Sequence, residues 1–282
     1  MESIEKRIRS DETAYESSLR RAADAVCSNK NIKLVLVAGG SCAGKTTTAS
    51  KLAGLLTSCG RPAHVISLDD YYRNEDEAVY LPDGTKDIES LNSLRVDMIR
   101  DTVAALARGD TAFVPRFDFI RKTRTDAVAK IRLEGDAVAL IEGLHALNPA
   151  LYADFADRSA IYGIFLFADS GDGRDCRFIR RLVRDARHRG ADAARSFELW
   201  DNVRKAEKVN IDPFASQADL RINTYFDYES GVLCDDAIAL LHALPEKNAH
   251  ADTAESLVAH LYGTTPIDDA LVPADSLLRE FI

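Results

Sequence analysis

The sequence predicts an α/β protein with a mostly parallel central sheet, and two patterns carry that prediction. Short apolar runs rich in β-branched residues alternate with longer, charged segments of helical period along most of the chain. The short runs are continuously apolar, which is typical of strands buried on both faces. The 282 residues are 46% hydrophobic, enough for one large core with an appendage.

Elements of the N-terminal half follow from local patterns. Ile4, Ile8, Tyr15 and Leu19 recur at spacings of four and seven between charged residues, which predicts an amphipathic helix over 3–27. Apolar runs predict strands, and longer amphipathic stretches that end near glycine predict helices. These patterns give strands at Lys33–Ala38, Ala63–Leu68, Ala112–Val114 and Ala137–Ile141, and helices at Thr46–Ser58 and Ser90–Leu106.

The C-terminal half continues the alternation. A fourth clear strand is predicted over Ile161–Phe167 and another over Leu220–Tyr225, with two charged helices between them in 174–210. Beyond residue 245 the pattern indicates a helix at Ala254–Leu261, a proline-containing loop and a short final helix. The expected organisation is an N-terminal helix over 1–30, one α/β domain over 31–245 and a helical extension over 246–282. The first helix packs on the core or forms a contact in a homo-oligomer; the sequence leaves both open.

Charge and cysteine content limit the function classes. Lys and Arg number 36 against 45 Asp and Glu, a net charge of −9 that disfavours binding to nucleic acid or an anionic membrane. No apolar run is long enough to span a bilayer. The five cysteines form no Cys-x-x-Cys pair, so neither a zinc site nor a disulfide framework is expected. We expect a cytoplasmic protein whose partner is a small-molecule substrate.

A phosphate-binding motif stands between the first predicted strand and the next helix. Residues 39–46 read GGSCAGKT and fit G-x-x-x-x-G-K-[ST]. In this motif backbone N–H groups surround phosphate, the lysine reaches the β- and γ-phosphates, and the last hydroxyl binds Mg²⁺. The motif predicts a three-layer α/β/α P-loop NTPase fold. It assigns Mg·ATP binding to Gly39, Gly40, Ser41, Cys42, Ala43, Gly44, Lys45, Thr46 and Thr47, with Thr46 as a metal ligand.

Two carboxylates at predicted strand ends can complete a phosphoryl-transfer site. Asp69 follows the strand Ala63–Leu68, and Glu142 follows Ala137–Ile141. The carboxyl ends of parallel strands share one edge of a sheet, so both side chains are expected in one crevice. We assign Glu142 to Mg²⁺ and Asp69 to the acceptor hydroxyl as its general base. The alternative is that these acids cap the following helix, an interpretation that we prefer for Asp70.

Arginines crowd residues 174–189, and four of them share one helical face: Arg177, Arg180, Arg181 and Arg184. A basic stripe in an acidic chain indicates a polyanion, and the phosphate motif favours a triphosphate. We expect a mobile helical lid over about 170–210, in which Arg177 and Arg181 bind nucleotide. Lys45, Arg180 and Arg184 are expected to stabilise transition-state charge. The alternatives are a solvated helix face and an RNA-binding patch.

Missing motifs narrow the choice further. The chain has no Asn-Lys-x-Asp motif for guanine, no Leu-Ser-Gly-Gly-Gln of transporter ATPases, and no protein-kinase catalytic loops. The simplest remaining class is a small-molecule kinase. The chain resembles the uridine kinase/phosphoribulokinase family, and its bacterial uridine kinase-like branch, from about residue 30 onward. The resemblance rests on VLVAGGSCAGKTTTASKL, ISLDDYYR, DIESLNSL, VPRFDF, IEGLHALNP and RFIRRLVRDARHRG.

The resemblance implies the same general base and metal ligand as the residues do, and it locates the acceptor site. Family members read a pyrimidine with Tyr and His around a Tyr-Asp-Phe segment. This chain has Phe117 in place of that tyrosine and Lys122 in place of that histidine. The expected substrate contacts are Asp69, Tyr72, Asp87, Phe117, Lys122 and His145. A nucleoside-like acceptor is the first expectation; an anionic or polyol metabolite, or a regulatory protein without a productive acceptor, is the alternative.

Overall fold

A computed structural model describes residues 3–82, 84–172, 175–245 and 248–282. The strands in these ranges are β1 (Leu34–Gly39), β2 (Ala63–Ser67), β3 (Ala112–Asp118), β4 (Thr123–Ile131), β5 (Val138–Glu142), β6 (Ile161–Phe167) and β7 (Leu220–Asn223). The α-helices are α1 (Ile4–Ser28), α2 (Lys45–Ser58), α3 (Val96–Arg108), α4 (Cys176–Arg189), α5 (Ala193–Asn210), α6 (Glu229–His242) and α7 (Ala251–Tyr262). Short 3₁₀ turns join several of these elements.

Five of the described strands form one parallel sheet in the order β2-β5-β1-β6-β7. Every residue of β1 is buried, as its continuous apolar run predicts. Val35 and Val37 face one core, and Leu34 and Leu36 face the other. The sheet therefore lies between two helical layers, which confirms the predicted three-layer α/β/α fold.

The first core holds α1 and α2 together with the segment after α7. Leu277, Leu278 and Phe281 of that segment are fully buried beside apolar residues of α1 and α2. The second core packs α3 and β3 on the opposite face of the sheet. A third cluster joins α4 and α5, which we call the lid helices, to α6 and α7. Among the described residues, no helix combines the length and apolar character needed to cross a membrane.

Three predictions of secondary structure need correction. The helix expected from Ser90 begins at Val96, because Leu94 pairs with Tyr72 and the segment before α3 folds along the cavity described below. The short strand expected at Ala112–Val114 continues to Asp118 and pairs with β4, which was not predicted. Pro115 is tolerated there because the register shifts around it. Helix α6 was not predicted either.

The cysteine prediction is wrong for one pair. Cys27, in the last turn of α1, and Cys59, at the end of α2, form a disulfide, with their Cα atoms 6.7 Å apart. They are 32 residues apart in sequence, and only the packing of α1 against α2 brings them together. Cys42, Cys176 and Cys234 are free thiols.

Arg61 holds the end of α1 against the sheet. Its guanidinium is fully buried and donates to the carbonyl oxygens of Val26, Asn29, Ile32 and Asp136. Two of these acceptors lie at the C-terminal end of α1, where helix carbonyls lack intrahelical partners. A buried acceptor that loses its donor costs about 1–3 kcal/mol.

We therefore expect Arg61→Met to lower the free energy of unfolding by about 2–4 kcal/mol, since several buried carbonyls lose their donor together. Denaturant unfolding followed by circular dichroism measures the change. Arg108→Met serves as the control, because the Arg108 side chain is 64% exposed and pairs only with Asp110 among the contacts described. A difference below about 0.5 kcal/mol between the two variants would contradict this role.

Candidate active site

The phosphate-binding loop connects β1 to the first turn of α2. Gly44 precedes α2 with φ of 78°, a left-handed conformation in which a side chain would be strained. A Cβ at this position would also lie 2.4 Å from the Leu277 side chain. Both the backbone conformation and the lack of space therefore require glycine. Lys45 Nζ donates to the Gly40 carbonyl oxygen at 2.9 Å, across the loop.

Glu142 ends β5 beside the loop. Its Oε1 accepts hydrogen bonds from the Ser67 hydroxyl at 2.6 Å and from the Thr46 hydroxyl at 3.5 Å. Burial raises the pKa of Glu142, against the hydrogen bond from Ser67, and the negative charge of Asp69 adds to the rise. Thr46 and Glu142 thus meet as predicted, and Ser67, which was not predicted, positions the carboxylate.

Asp69 lies on the 3₁₀ turn Leu68–Tyr71 that follows β2. Its side chain is exposed and lines the cavity described below. The protein around the cavity limits hydration of the carboxylate, which raises the pKa of Asp69; the ammonium of Lys45 opposes the rise, and the neighbouring Asp70 adds to it. A carboxylate with a raised pKa is a better proton acceptor than one in water, which suits a general base.

Asp70 does not act as the helix cap that we preferred for it. Its Oδ1 accepts from the backbone N–H of Phe117 at 3.1 Å, so it ties the β3–β4 hairpin to the turn that carries Asp69. The cap of this turn is Ser67, whose hydroxyl accepts from the Asp69 N–H at 3.3 Å.

Most of the predicted site residues line one cavity of about 870 Å³. They come from the phosphate loop, the turns after β2 and β5, the hairpin and α4. The predicted residues on this cavity are Ser41, Cys42, Gly44, Lys45, Thr46, Asp69, Tyr72, Asp87, Phe117, Lys122, Glu142, Arg181 and Arg184. A phosphate loop, two carboxylates and an acceptor region therefore share one space, as phosphoryl transfer requires.

The remaining predicted residues of the phosphate loop support it from behind or from the side. Gly39 ends β1 and packs against the Leu166 backbone, where a Cβ would lie 2.5 Å from the carbonyl oxygen. The Ala43 carbonyl accepts from the Thr224 hydroxyl at 3.1 Å. The Thr47 hydroxyl donates to Glu280 Oε2 at 2.8 Å. Gly40 faces a neighbouring cavity of about 630 Å³.

The arginines of α4 divide into two pairs, which corrects the prediction of one uniform stripe. Arg181 and Arg184 line the main cavity. Arg180 is fully buried in an ion pair with Glu229 and donates to the Cys42 carbonyl, so direct catalysis by Arg180 does not fit the structure. Arg177 pairs with Glu207, donates to the Ser41 carbonyl and lines the neighbouring cavity that Gly40 faces, so its contact with nucleotide stays a prediction. Arg174 lies outside the described residues.

His145 and Asp87 are more structural than predicted. His145 does not line the cavity; it is 3% exposed, and its Nε2 lies 3.0 Å from the Glu89 carbonyl oxygen. It holds the loop before α3 instead of contacting an acceptor, which corrects the prediction. Asp87 does reach the cavity, but its carboxylate accepts from the backbone N–H groups of Glu89 and Ser90 within the same loop.

Several functional candidates were missed by sequence reasoning. Glu89, Arg189 and Glu280 line the cavity, and Glu280 comes from the 3₁₀ turn Leu277–Glu280 near the C-terminal end of the fold. Burial raises the pKa of Glu89 to about 7, and the positive charge of Arg181 opposes the rise. The segment DIESLNSL offered a signal for Glu89, because Asp87 of the same segment is an expected substrate contact. No local pattern marked Glu280, because long-range packing alone brings it to the loop.

The acceptor half of the cavity carries an aromatic cluster. Tyr72, Phe117 and Phe119 have ring centroids 5.0–6.1 Å apart in tilted or edge-to-face arrangements. The Tyr72 hydroxyl donates to the Ile88 carbonyl at 3.1 Å, which fixes the ring. Phe119, near the hairpin tip, keeps 62% of its surface exposed and so offers a free apolar face.

The site suits a metal that is bound partly by substrate. The described residues hold no group of three or more His, Cys, Asp or Glu side chains that would bind a metal alone. Mg²⁺ is commonly held by one or two protein oxygens together with phosphates and water. The Thr46 hydroxyl and the Glu142 carboxylate, which share a hydrogen bond beside the phosphate loop, fit that donor set.

These features define a P-loop protein built for phosphoryl transfer to a second substrate. The chain belongs to the phosphoribulokinase/uridine kinase family of kinases, whose model matches residues 34–228. It is 24% identical over 235 residues to a uridine kinase of Halobacterium salinarum, covering 83% of this chain and 94% of that protein. It is 30% identical over 187 residues to a uridine kinase of Deinococcus deserti, covering 66% and 84% respectively.

Solved structures support the fold. The crystal structure of YFH7 from Saccharomyces cerevisiae aligns with a TM-score of 0.55 and 12% identity. The alignment covers 77% of this chain and 99% of that chain. The P-loop NTPase fold predicted from the sequence is thereby confirmed.

The raised pKa of Glu89 predicts a pH-dependent stability. Between pH 4.5 and about 7 the folded protein holds a proton on Glu89 that the unfolded chain has lost, so stability falls as pH rises through that window. Glu89→Gln removes the ionisable group and with it this loss of stability. We expect the variant to match the wild type below pH 4.5 and to exceed it by about 1–3 kcal/mol above pH 7.

Denaturant unfolding at pH 4.5, 6, 7 and 8 measures the difference. Glu134→Gln, an exposed substitution outside the cavity, is the matched control. If the gain of Glu89→Gln does not grow between pH 4.5 and 7, Glu89 does not carry a raised pKa.

Proposed function

We propose that this protein transfers the γ-phosphoryl group of Mg·ATP to a hydroxyl of a neutral, nucleoside-like acceptor. One observation carries the proposal: Asp69 and the aromatic cluster of Tyr72, Phe117 and Phe119 share a cavity with Lys45 of the phosphate loop. A nucleotide-binding protein without an acceptor has no need for the base or for the aromatic face.

The proposed reaction uses groups already in place. Asp69 orients the acceptor hydroxyl and takes its proton as the hydroxyl oxygen bonds to the γ-phosphorus. The bond from that phosphorus to the β,γ-bridging oxygen breaks, and ADP leaves. Lys45, Arg181 and Arg184 stabilise the charge on the transferring group. Thr46 and Glu142 would hold Mg²⁺, which would neutralise part of the phosphate charge.

A flat, uncharged acceptor suits the aromatic half of the cavity. Aromatic side chains stack on nucleobases with about 1–3 kcal/mol per base and little sequence preference. The carboxylates of Asp69 and Glu89 line the same cavity and can accept hydrogen bonds from sugar hydroxyls. Phe117 lacks a phenol donor, so we propose recognition by stacking more than by hydrogen bonds to base edges, and hence tolerance of different bases.

An anionic acceptor is less well supported, because the nearby cations have carboxylate partners. Lys122 Nζ lies 3.7 Å from Glu75, and Arg116 lies 3.4 Å from Asp70. Arg124 is paired with Asp126 at 2.7 Å and donates to the Tyr72 carbonyl, with its side chain almost fully buried. These three cations therefore neutralise carboxylates in and around the hairpin rather than forming a free anion site.

The first experiment measures ADP release from Mg·ATP with a panel of nucleosides, sugars, polyols and hydroxy acids. We expect one or more nucleosides to be turned over, and Asp69→Asn to lower kcat by at least about 100-fold while ATP binding persists. Asp110→Asn, an exposed change outside the cavity, should behave as wild type. Turnover of a hydroxy acid alone would move the assignment to an anionic acceptor. ATP binding without any acceptor turnover would favour a regulatory role.

Phe119 provides a test of the stacking surface. We expect Phe119→Ala to raise the acceptor KM about tenfold, because one stacking face is lost, and to leave the ATP KM unchanged. Phe113→Ala is the matched control: Phe113 is also exposed on β3, at 52%, but does not line the cavity. Equal acceptor KM values for both variants would argue against stacking at this face. Steady-state kinetics with each substrate varied in turn gives both constants.

A further inference from the structure

The lid helices contact the phosphate loop most extensively at Ser41. Its backbone N–H donates to Glu207 Oε1 at 2.7 Å, and its carbonyl accepts from Arg177 Nη1 at 3.0 Å. Its hydroxyl accepts from Arg181 Nη1 at 3.2 Å. All three polar groups of Ser41 therefore bond to side chains of α4 or α5.

We propose that Glu207 is a positioning residue that docks the lid on the phosphate loop before nucleotide arrives, so that ATP binds a preformed loop. The inference rests on the proposed function, since it concerns how the same site receives ATP. It replaces the expectation of a lid that closes over bound phosphates with one that is already joined to the loop.

The contacts of Glu207 are buried and complete. Arg177 forms a two-point fork with the carboxylate, Nη1 to Oε1 at 2.8 Å and Nη2 to Oε2 at 3.0 Å, and Arg204 donates to Oε2 as well. Glu207 is 1% exposed. Burial raises the pKa of Glu207, but the hydrogen bonds from Arg177 outweigh it and bring the pKa below its ordinary value. The carboxylate is thus a permanent acceptor for the Ser41 N–H.

Stability alone does not account for this ion pair. Desolvating two charges costs about as much as their attraction returns, and apolar replacements of such pairs are often neutral. What the pair does provide is a fixed orientation, because a bidentate guanidinium–carboxylate pair holds both side chains in place. Here the same carboxylate oxygen that receives Arg177 also receives the Ser41 N–H, so the orientation of the pair is transmitted to the loop backbone.

Gly40 shows that the loop is shaped to admit the pair. A Cβ at Gly40 would lie 1.9 Å from Arg177 Nη1 and 2.6 Å from Glu207 Oε1. Any other residue would push the fork away from the loop. This glycine of the phosphate motif therefore serves the approach of the lid side chains.

A second buried pair holds α4 to the loop next to Ser41. Arg180 donates to the Cys42 carbonyl at 3.2 Å and pairs with Glu229 of α6. The lid helix is thus fixed to the loop at two successive residues. Preorganisation of this kind removes an ordering cost that ligand binding would otherwise carry.

The chain carries its own reporter for lid position. Trp200 is its single tryptophan and lies on α5, 8% exposed. The guanidinium carbons of Arg177 and Arg181 lie 5.4 Å and 5.8 Å from its ring. Acrylamide quenching of Trp200 fluorescence therefore reports whether α5 is docked.

The test compares wild type, Glu207→Gln and Glu198→Gln. Glu198 lies on the same helix, is exposed, and pairs with Arg195 away from the loop, so its variant should behave as wild type. Without nucleotide, we expect Glu207→Gln to increase Trp200 quenching at least twofold. We expect it to weaken ATP binding about tenfold, measured by calorimetry, because the loop must then be ordered on binding. ATP should reduce quenching in Glu207→Gln and leave the wild type unchanged.

Each other outcome overturns the proposal. A fall in wild-type quenching on ATP saturation would mean that the lid closes on ligand. If Glu207→Gln has the same ATP affinity and the same Trp200 quenching as the wild type, the Arg177–Glu207 pair is merely structural. If Glu207→Gln does not fold, Arg177→Lys, which keeps the charge but loses the fork, is measured in the same assays with the same criteria. A protein that binds no ATP would refute the proposed function, while quenching without nucleotide still decides whether Glu207 docks the lid.

Discussion

Parallel pairing around β1 is the constraint on which the rest of the site depends. β1 is buried along its length and pairs with β5 on one side and β6 on the other, and β2 pairs with β5. Glu142 is therefore in register with Val37 and with Ser67, so loops from three strands begin at one edge. Lys45 and Asp69 meet Glu142 because of that register. A slip of one residue would turn each strand's side chains to the opposite face and separate them.

Features with local causes were predictable from the sequence. Continuous apolar runs predict the strands of the sheet. The phosphate loop is predicted by its motif, which lies between a strand and a helix as that motif requires. The β3–β4 hairpin was only half predicted, because β4 is exposed along most of its length and shows no alternation. The start of α3 was placed too early, since tertiary pairing of Leu94 with Tyr72 overrides the helical pattern before it.

The roles of charged residues were predictable by type but not by partner. Helical spacing correctly groups Arg177, Arg180, Arg181 and Arg184 on α4, but their partners differ. Arg177 and Arg180 pair with Glu207 on α5 and Glu229 on α6, whereas Arg181 and Arg184 pair with Asp185 of α4 and line the cavity. The anionic-acceptor alternative arose for the same reason, because the carboxylates that pair with the hairpin cations are distant in sequence from most of them.

The contact between Thr47 and Glu280 has a consequence for the way the site is built during translation. The two residues are 233 positions apart, yet the side chain of one bonds to the other, and Leu277 packs directly on Gly44. At typical elongation speeds, roughly 10 to 50 seconds separate the synthesis of the loop from that of its last supports. Throughout that interval the nascent chain carries the phosphate motif without the wall against which it packs. Nucleotide can meet the finished pocket only after Glu280 has been made, so the site becomes complete well after its phosphate motif.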